Sequence, residues 1–125
     1  MRSPSERSEL VRECLDALGA LAAAETVLRG QLATLRASAI AIYRYLDGGG
    51  SSQGLSDVID ITGQRAASGD ALRGVESARG GVQHAIYRLA AADGMNAADL
   101  GRVWGVSRQL VSRVLNQAGE DSATG

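Results

Sequence analysis

The sequence lacks phenylalanine and lysine altogether, and it contains one cysteine, one proline and one histidine. A single cysteine excludes an internal disulfide bond and a zinc knuckle built from paired cysteines, and it suits a reducing cytoplasm. Because only 3% of the residues are aromatic, a core has to be built from aliphatic side chains, which favours packed helices over a β-sandwich. Hydrophobic residues still make up 45% of the 125 residues, enough for one small domain with an extension.

An excess of charge of either sign is also missing. The formal net charge is −1, and every basic residue is an arginine. A nucleic-acid-binding role would therefore depend on a local basic patch and not on the overall field. No apolar run approaches the ~18 residues that a membrane span needs, and the start of the chain, MRSPSERSEL, has no apolar signal core. We expect a cytoplasmic protein with no membrane partner.

The first half of the chain carries one long helical pattern over residues 5–46. Apolar residues recur at alternating spacings of three and four, as they do in a coiled-coil seam. Pro4 and Ser5 suit a helix start, and the glycines at 48–50 end the pattern. The seam also contains Cys14, which we interpret as a small apolar filler, and one charged residue, Glu25. The positions predicted to form a dimer contact are Val11, Leu18, Leu21, Leu28, Leu32, Leu35, Ile42 and Leu46.

An apolar stripe of this length needs a partner. We expect the same helix of a second chain, which would make the protein a homodimer. The alternative is that the helix folds back along the C-terminal helices of its own chain. In a parallel in-register dimer Glu25 would face its own copy and repel it, which slightly favours an antiparallel pairing.

The middle of the chain is rich in glycine. Residues 47–54, DGGGSSQG, predict a flexible hinge. A short helix is predicted next, with Ser56 as its N-cap and with Gly63 and Ser68–Gly69 at its end. Asp70 is expected to cap another helix, which Gly80–Gly81 would interrupt. The inner face of that helix is predicted to carry Leu72, Val75, Val82, Ile86 and Leu89.

The last third of the chain contains strong helix-boundary signals. Gly94 is predicted to close a helix, and Asn96 with Asp99 resembles a capping box that opens the next one. Gly105 would end that helix by adopting positive φ, and Ser107 would cap the helix that follows. The inward-facing residues are predicted to be Leu100, Val103 and Trp104 on the first helix, and Leu110, Val111, Val114 and Leu115 on the second.

The stretch AADLGRVWGVSRQLVSRVLNQ, residues 97–117, resembles the helix-turn-helix of bacterial transcription regulators, including small actinobacterial ones. The family has a small residue inside the first helix, and Gly101 occupies that place. It has glycine in the turn, which Gly105 supplies, and apolar residues frame the turn. The string GVSRQ is a frequent opening of the recognition helix in such proteins.

The resemblance implies that the second helix enters the major groove of double-stranded DNA. Arginine can bond a guanine edge with two donors, and glutamine or asparagine can do the same to adenine. Arg102 on the first helix is a candidate phosphate clamp. Residues 96–117 contain three Arg and one Asp, a local charge of +2. The predicted DNA-binding residues are Arg102, Ser107, Arg108, Gln109, Ser112, Arg113 and Asn116.

The sequence thus predicts an all-α fold: a long coiled-coil helix, a hinge, a helical DNA-binding domain over 55–119 with a non-winged helix-turn-helix at 97–117, and a disordered tail at 120–125. No metal cluster, phosphate loop or nucleophile constellation is present, so we expect neither an enzyme nor a cofactor. The function expected is that of a dimeric, nucleoid-associated transcription regulator. Two alternatives stay open: an adaptor that binds polymerase or a sigma factor, and a nucleoid-organising protein of low sequence specificity.

Overall fold

A computed structural model describes the backbone of residues 3–124 and the side chains of residues 3–116. This part of the chain contains no β-strand, so the all-α prediction is confirmed. None of its helices is long and apolar enough to cross a membrane. The helices are α1 (Pro4–Asp47), α2 (Leu55–Val58), α3 (Ile61–Ala92), α4 (Ala97–Trp104) and α5 (Arg108–Thr124), with a 3-10 turn at Ser52–Gly54.

The chain forms two compact units. Unit 1 contains the residues up to Leu21 together with those from Ala78 onward, and unit 2 contains Ala22–Ser77. The long helices α1 and α3 therefore contribute residues to both units. This division differs from the predicted one, which separates the first helix from the rest of the chain at the glycine segment.

In unit 2, α1 packs against α3 of the same chain. The Gln31 side-chain amide donates to the Ser68 hydroxyl at 3.0 Å, and the Gln64 side-chain amide donates to the Ser38 hydroxyl at 2.6 Å. Residue numbers fall along α3 as they rise along α1, so the two segments are antiparallel. Buried and half-buried residues recur at spacings of three and four, with one gap at the exposed Leu35: Ala24, Leu28, Gln31, Ser38, Ile42 and Tyr45 on α1, and Gln64, Ser68, Ala71 and Val75 on α3.

In unit 1, the first part of α1 lies beside the last part of α3. The Arg7 guanidinium pairs with Asp93 at 3.0 Å, and that of Arg88 pairs with Glu13 at 2.6 Å. The carboxylate of Asp93 raises the pKa of Arg7 by accepting its hydrogen bonds and by its charge. The covered positions again follow a three-four spacing: Leu10, Cys14, Ala17 and Leu21 on α1, and Ala78, Val82, Ala85, Leu89 and Ala92 on α3.

The apolar seam of α1 differs from the predicted one at every second position. Cys14, Leu21, Leu28 and Ile42 belong to both, but the covered residues beside them are Leu10, Ala17, Ala24, Gln31, Ser38 and Tyr45. The predicted positions Leu18, Leu32 and Leu46 are 45%, 54% and 46% exposed instead. The physical reason is the partner: α3 has alanine at every seventh position from Ala71 to Ala92, and such small residues let two helices approach closely. Within each unit α1 thus folds against its own chain, as the alternative interpretation expected.

Helix α3 is continuous where the sequence predicts interruptions. It passes without a break through Gly63, Ser68–Gly69 and Gly80–Gly81, so these predicted boundaries are wrong. Each glycine costs a helix about 1 kcal/mol relative to alanine. The covered residues of α3 recur throughout its length, so packing against α1 offsets this cost.

Two predicted N-caps are also wrong. Helix α2 begins at Leu55, so Ser56 lies inside it and caps nothing. Asp70 lies in the middle of α3 and pairs with Arg73. The residue that caps the start of α3 is Asp60, whose carboxylate accepts from the backbone N–H of Gly63 at 3.0 Å. Many acidic and hydroxyl side chains are able to cap a helix. Which of them does so depends on where the helix begins, and the local sequence does not determine that point.

The glycine segment at 47–54 forms a hydrogen-bonded turn over the ring of Tyr45. The backbone N–H of Gly50 donates to the carbonyl of Tyr45 at 2.9 Å, and Gly49 has a φ of 90°. A Cβ on Gly50 or Gly54 would overlap Tyr45. These two glycines therefore make room for an aromatic side chain.

The end of α3 packs against α4 and α5 in unit 1. The core consists of Tyr87, Leu100, Val111 and Val114, each at most 8% exposed. The Tyr87 hydroxyl accepts from the Gln83 side chain at 2.9 Å, and its ring meets Trp104 edge to face, with centroids 5.5 Å apart. The sequence pattern does not predict Tyr87 as a core residue. Its prediction that Val103 faces inward is wrong, since that side chain is 71% exposed.

Candidate nucleic-acid interface

The turn between α3 and α4 has the geometry that the sequence predicts. Gly94 closes α3 with a φ of 99°. Asn96 caps α4 by accepting from the backbone N–H of Asp99 at 2.9 Å, and the Asp99 carboxylate accepts in return from the N–H of Asn96. The predicted capping box is therefore confirmed. It fixes where α4 begins.

The turn between α4 and α5 is held by close backbone contacts. Gly105 adopts the left-handed conformation with a φ of 68°, as predicted. The backbone N–H of Val106 donates to the carbonyl of Gly101 at 2.9 Å. A Cβ on Gly101 would lie 2.7 Å from the carbonyl oxygen of Val106, so only glycine fits here without a shift. The close approach is to the backbone of the turn, and it fixes the point at which α5 leaves α4.

Helix α5 begins with a side-chain cap and has two distinct faces. The Ser107 hydroxyl accepts from the backbone N–H of Leu110 at 3.1 Å, which confirms its predicted capping role. Val111 and Val114 are buried, while Leu110 and Leu115 pack partly against the same core. Burial of this face leaves the polar face of α5 directed to solvent.

The structure brings five of the seven predicted DNA-binding residues together. They line one shallow, open depression on the surface of α5: Arg108, Gln109, Ser112, Arg113 and Asn116. Ser107 lies at the start of the same helix, and Arg102 lies on α4. Neither contributes to the depression, so these two residues could act only at its margin.

The arginines of this surface differ in their surroundings. Arg108 and Arg113 have no ion-pair partner among residues 3–116, whose side chains the structure describes. Arg102 pairs with Asp99, one turn earlier on α4, and its side chain is 75% exposed. An exposed pair of this kind contributes at most about 1 kcal/mol, so a phosphate could replace the carboxylate. The i,i+3 spacing of these two residues is the signal by which the sequence could have indicated the pair.

The other chemically reactive side chains do not join this surface. Cys14 is buried in α1, and burial together with the negative charge of Glu13 raises the pKa of its thiol. His84 is half-buried in α3. The described residues include no group of three or more histidine, cysteine or acidic side chains placed to hold a metal ion. The polar face of α5 is therefore the strongest candidate site.

No protein family, curated protein or solved structure matches the chain at a significant level. The geometry of α4 and α5 and the chemistry of their exposed side chains are therefore the basis for proposing a function.

Proposed function

We propose that the protein binds double-stranded DNA in a sequence-specific manner by inserting α5 into the major groove. One observation carries the proposal: α5 buries one face in a small helical core and presents five polar side chains on the other. The major groove is about 12 Å wide and admits a single α-helix. On this account α4, its turn and α5 act as a helix-turn-helix, with residues 107–117 as the recognition segment.

The side chains of α5 match the donors and acceptors of base edges. Arg108 and Arg113 each offer a guanidinium that can bond guanine at two points, and Gln109 and Asn116 can bond adenine. Gln109 and Arg113 are one helical turn apart, so they can contact neighbouring base pairs. Ser112 is short enough to reach a base or a phosphate without holding the helix away from the groove.

Arg102 has a different role in this proposal. It lies on α4, outside the depression, where contacts to the phosphate backbone position a protein without specifying sequence. Residues 96–117, which include Arg102, carry a net charge of +2 within a chain whose net charge is −1. We assign the protein as a dimeric bacterial transcription regulator that acts in the cytoplasm on the nucleoid.

Selection of preferred sites from a random DNA pool tests the proposal. We expect one enriched motif, and affinity for it should exceed that for scrambled DNA by about a thousandfold or more. In salt titrations Arg102→Ala should weaken binding to both DNAs alike and lower the salt slope by about one unit. Equal affinity for all DNA would support the nucleoid-organising alternative, and no affinity for any DNA would refute the proposal.

One observation favours the protein-binding alternative. Val103 and Trp104, adjacent on α4, are 71% and 40% exposed, and tryptophan is enriched in protein–protein interfaces. Binding of polymerase or a sigma factor by α4 would explain them. Val103→Asp should then abolish capture of the partner while leaving DNA binding intact, which separates the two functions experimentally.

A further inference from the structure

Unit 2 exposes apolar side chains that lie outside the contact between α1 and α3. Leu32, Leu46 and Leu72 are 54%, 46% and 55% exposed. Leu32 and Leu46 each follow a seam residue of α1 by four positions, Leu28 and Ile42, and Leu72 follows the seam residue Ser68 of α3 in the same way. We refer to the surface formed by Glu25, Leu32, Ala39, Leu46 and Leu72 as the outer apolar face.

The outer apolar face lies on one side only of the α1–α3 pair in unit 2. The opposite side carries a shallow hollow between the two helices, lined by small or polar residues that include Ala24, Gln31, Ala67 and Gly74. Val27 is exposed there to 62%, without leucines around it. The two sides of the pair thus differ in composition. Each contains an exposed aliphatic side chain that can be substituted.

The heptad pattern explains why this face is apolar. A helix that packs against one partner needs apolar residues at two heptad positions, whereas a helix inside a bundle needs a third. In the part of α1 that belongs to unit 2, the third position carries Glu25, Leu32, Ala39 and Leu46. In the described part of unit 2, α3 covers the first two positions and leaves the third open. The pattern of α1 is therefore that of a helix with neighbours on two sides.

The size of the face approaches what a second copy of the same chain would cover. From Glu25 to Leu46 it is about 32 Å long at ~1.5 Å per residue, and two helices spaced about 8–10 Å apart make it roughly 20 Å wide. Its outline therefore measures on the order of 600 Å², less than the about 800 Å² that each partner of a stable dimer buries, so a second copy has to cover neighbouring side chains as well.

Charge selects the orientation of the second copy. Glu25 and Arg36 are eleven residues apart, which places them on the same line along α1, with Leu32 between them. In a parallel in-register pair, Glu25 would approach its own copy. In an antiparallel pair centred midway between these two positions, each Glu25 approaches the Arg36 of the other chain, with Leu32 close to the centre and Leu46 outside the overlap of the two faces. The Glu25 side chain also pairs with Arg29 of its own helix and remains 47% exposed, so its carboxylate can accept a second donor.

We propose that two copies of the protein associate through the outer apolar face, antiparallel, so that α1 and α3 of both chains form a four-helix bundle. This deepens the dimeric part of the proposed function. Because oligomeric state is measured without DNA, the dimer and the DNA-binding proposal can fail independently.

Sedimentation velocity on the full chain tests the interface. Wild type should be dimeric at micromolar concentration, and Leu32→Glu and Leu72→Glu should each be monomeric, with helix content unchanged because both side chains are exposed. Val27→Glu is the matched control on the opposite side and should stay dimeric. A monomeric wild type, or dissociation by Val27→Glu as complete as by Leu32→Glu, would overturn the proposal.

A charge exchange tests the orientation. Glu25→Arg and Arg36→Glu should each weaken dimerisation by about tenfold or more, since each places like charges together in both halves of the interface. The double variant should recover most of the lost affinity, because it restores opposite charges across the antiparallel pair. A double variant no better than the single ones would exclude the antiparallel arrangement.

Discussion

Gly101 and Gly80 are both glycines inside helices, and their surroundings predict opposite effects of the same substitution. A Cβ on Gly101 would lie 2.7 Å from a backbone oxygen that cannot move freely, whereas a Cβ on Gly80 would meet nothing within 4 Å. We expect Gly101→Ala to lower the free energy of unfolding by about 1–3 kcal/mol. Gly80→Ala should raise it by up to about 1 kcal/mol. Urea unfolding measures both, and a Gly101→Ala variant as stable as wild type would show that the turn is misassigned.

Cys14 is predicted to be unreactive in the folded protein. Its side chain is buried, and the raised pKa keeps the sulfur in the thiol form at neutral pH, whereas the thiolate is the reactive species. Reaction with a disulfide reagent should be slow at pH 7–8 and become fast when denaturant unfolds the chain. Equal rates in the native and unfolded states would contradict the packing of α1 in unit 1.

Single residues with local roles were predictable from the sequence, and those with distant partners were not. The capping box at Asn96 and the turn glycine Gly105 depend on neighbours within a few positions. Tyr87 became a core residue because α4 and α5 close over the side of α3 that does not face α1. No pattern within α3 alone contains that information.

At the scale of helices, Ser107 and Ser112 provide a matched pair on α5. Ser107 accepts the backbone N–H of Leu110, whereas Ser112 has no hydrogen bond among the described residues. Ser107→Ala should therefore lower stability by about 1 kcal/mol through loss of the cap. Ser112→Ala should leave the melting temperature unchanged. Thermal unfolding followed by circular dichroism distinguishes them, and identical melting temperatures would argue against the cap.

The two long helices show why the existence of a helix is easier to predict than the face that it buries. The length of α1 was predicted closely, because its periodicity and its terminal glycines are local signals. Its seam lies one residue from the predicted one at every second position, because the partner covers a position that carries Gln31 and Ser38 and leaves the more apolar position beside it exposed. The continuity of α3 was missed for a related reason: its glycines weaken it locally, and α1 stabilises it. Helix α5 likewise continues through residues 120–124, where the sequence predicts a disordered tail, and Gly125 lies outside the described residues.

At the scale of the whole molecule, a two-fold dimer predicts a two-fold DNA site. The two recognition helices of a symmetric dimer contact half-sites in inverted orientation. We expect the selected motif to be an inverted repeat, and Leu32→Glu should weaken binding to the full site by about tenfold or more while leaving the half-site affinity unchanged. Val27→Glu should bind the full site as wild type does. A selected motif without two-fold symmetry would contradict the dimeric account.

The central claim is that the polar face of α5 contacts bases. The most direct measurement compares Arg113→Ala with Arg73→Ala, an exposed arginine of α3 in unit 2, on the preferred site and on scrambled DNA at fixed salt. Both variants lose one positive charge. The account predicts that Arg113→Ala loses about 1–3 kcal/mol on the preferred site, much less on scrambled DNA, and that its selected motif relaxes at one position. Arg73→Ala should match wild type on both. Equal losses on the two DNAs for Arg113→Ala, or no loss at all, would contradict base contact by α5.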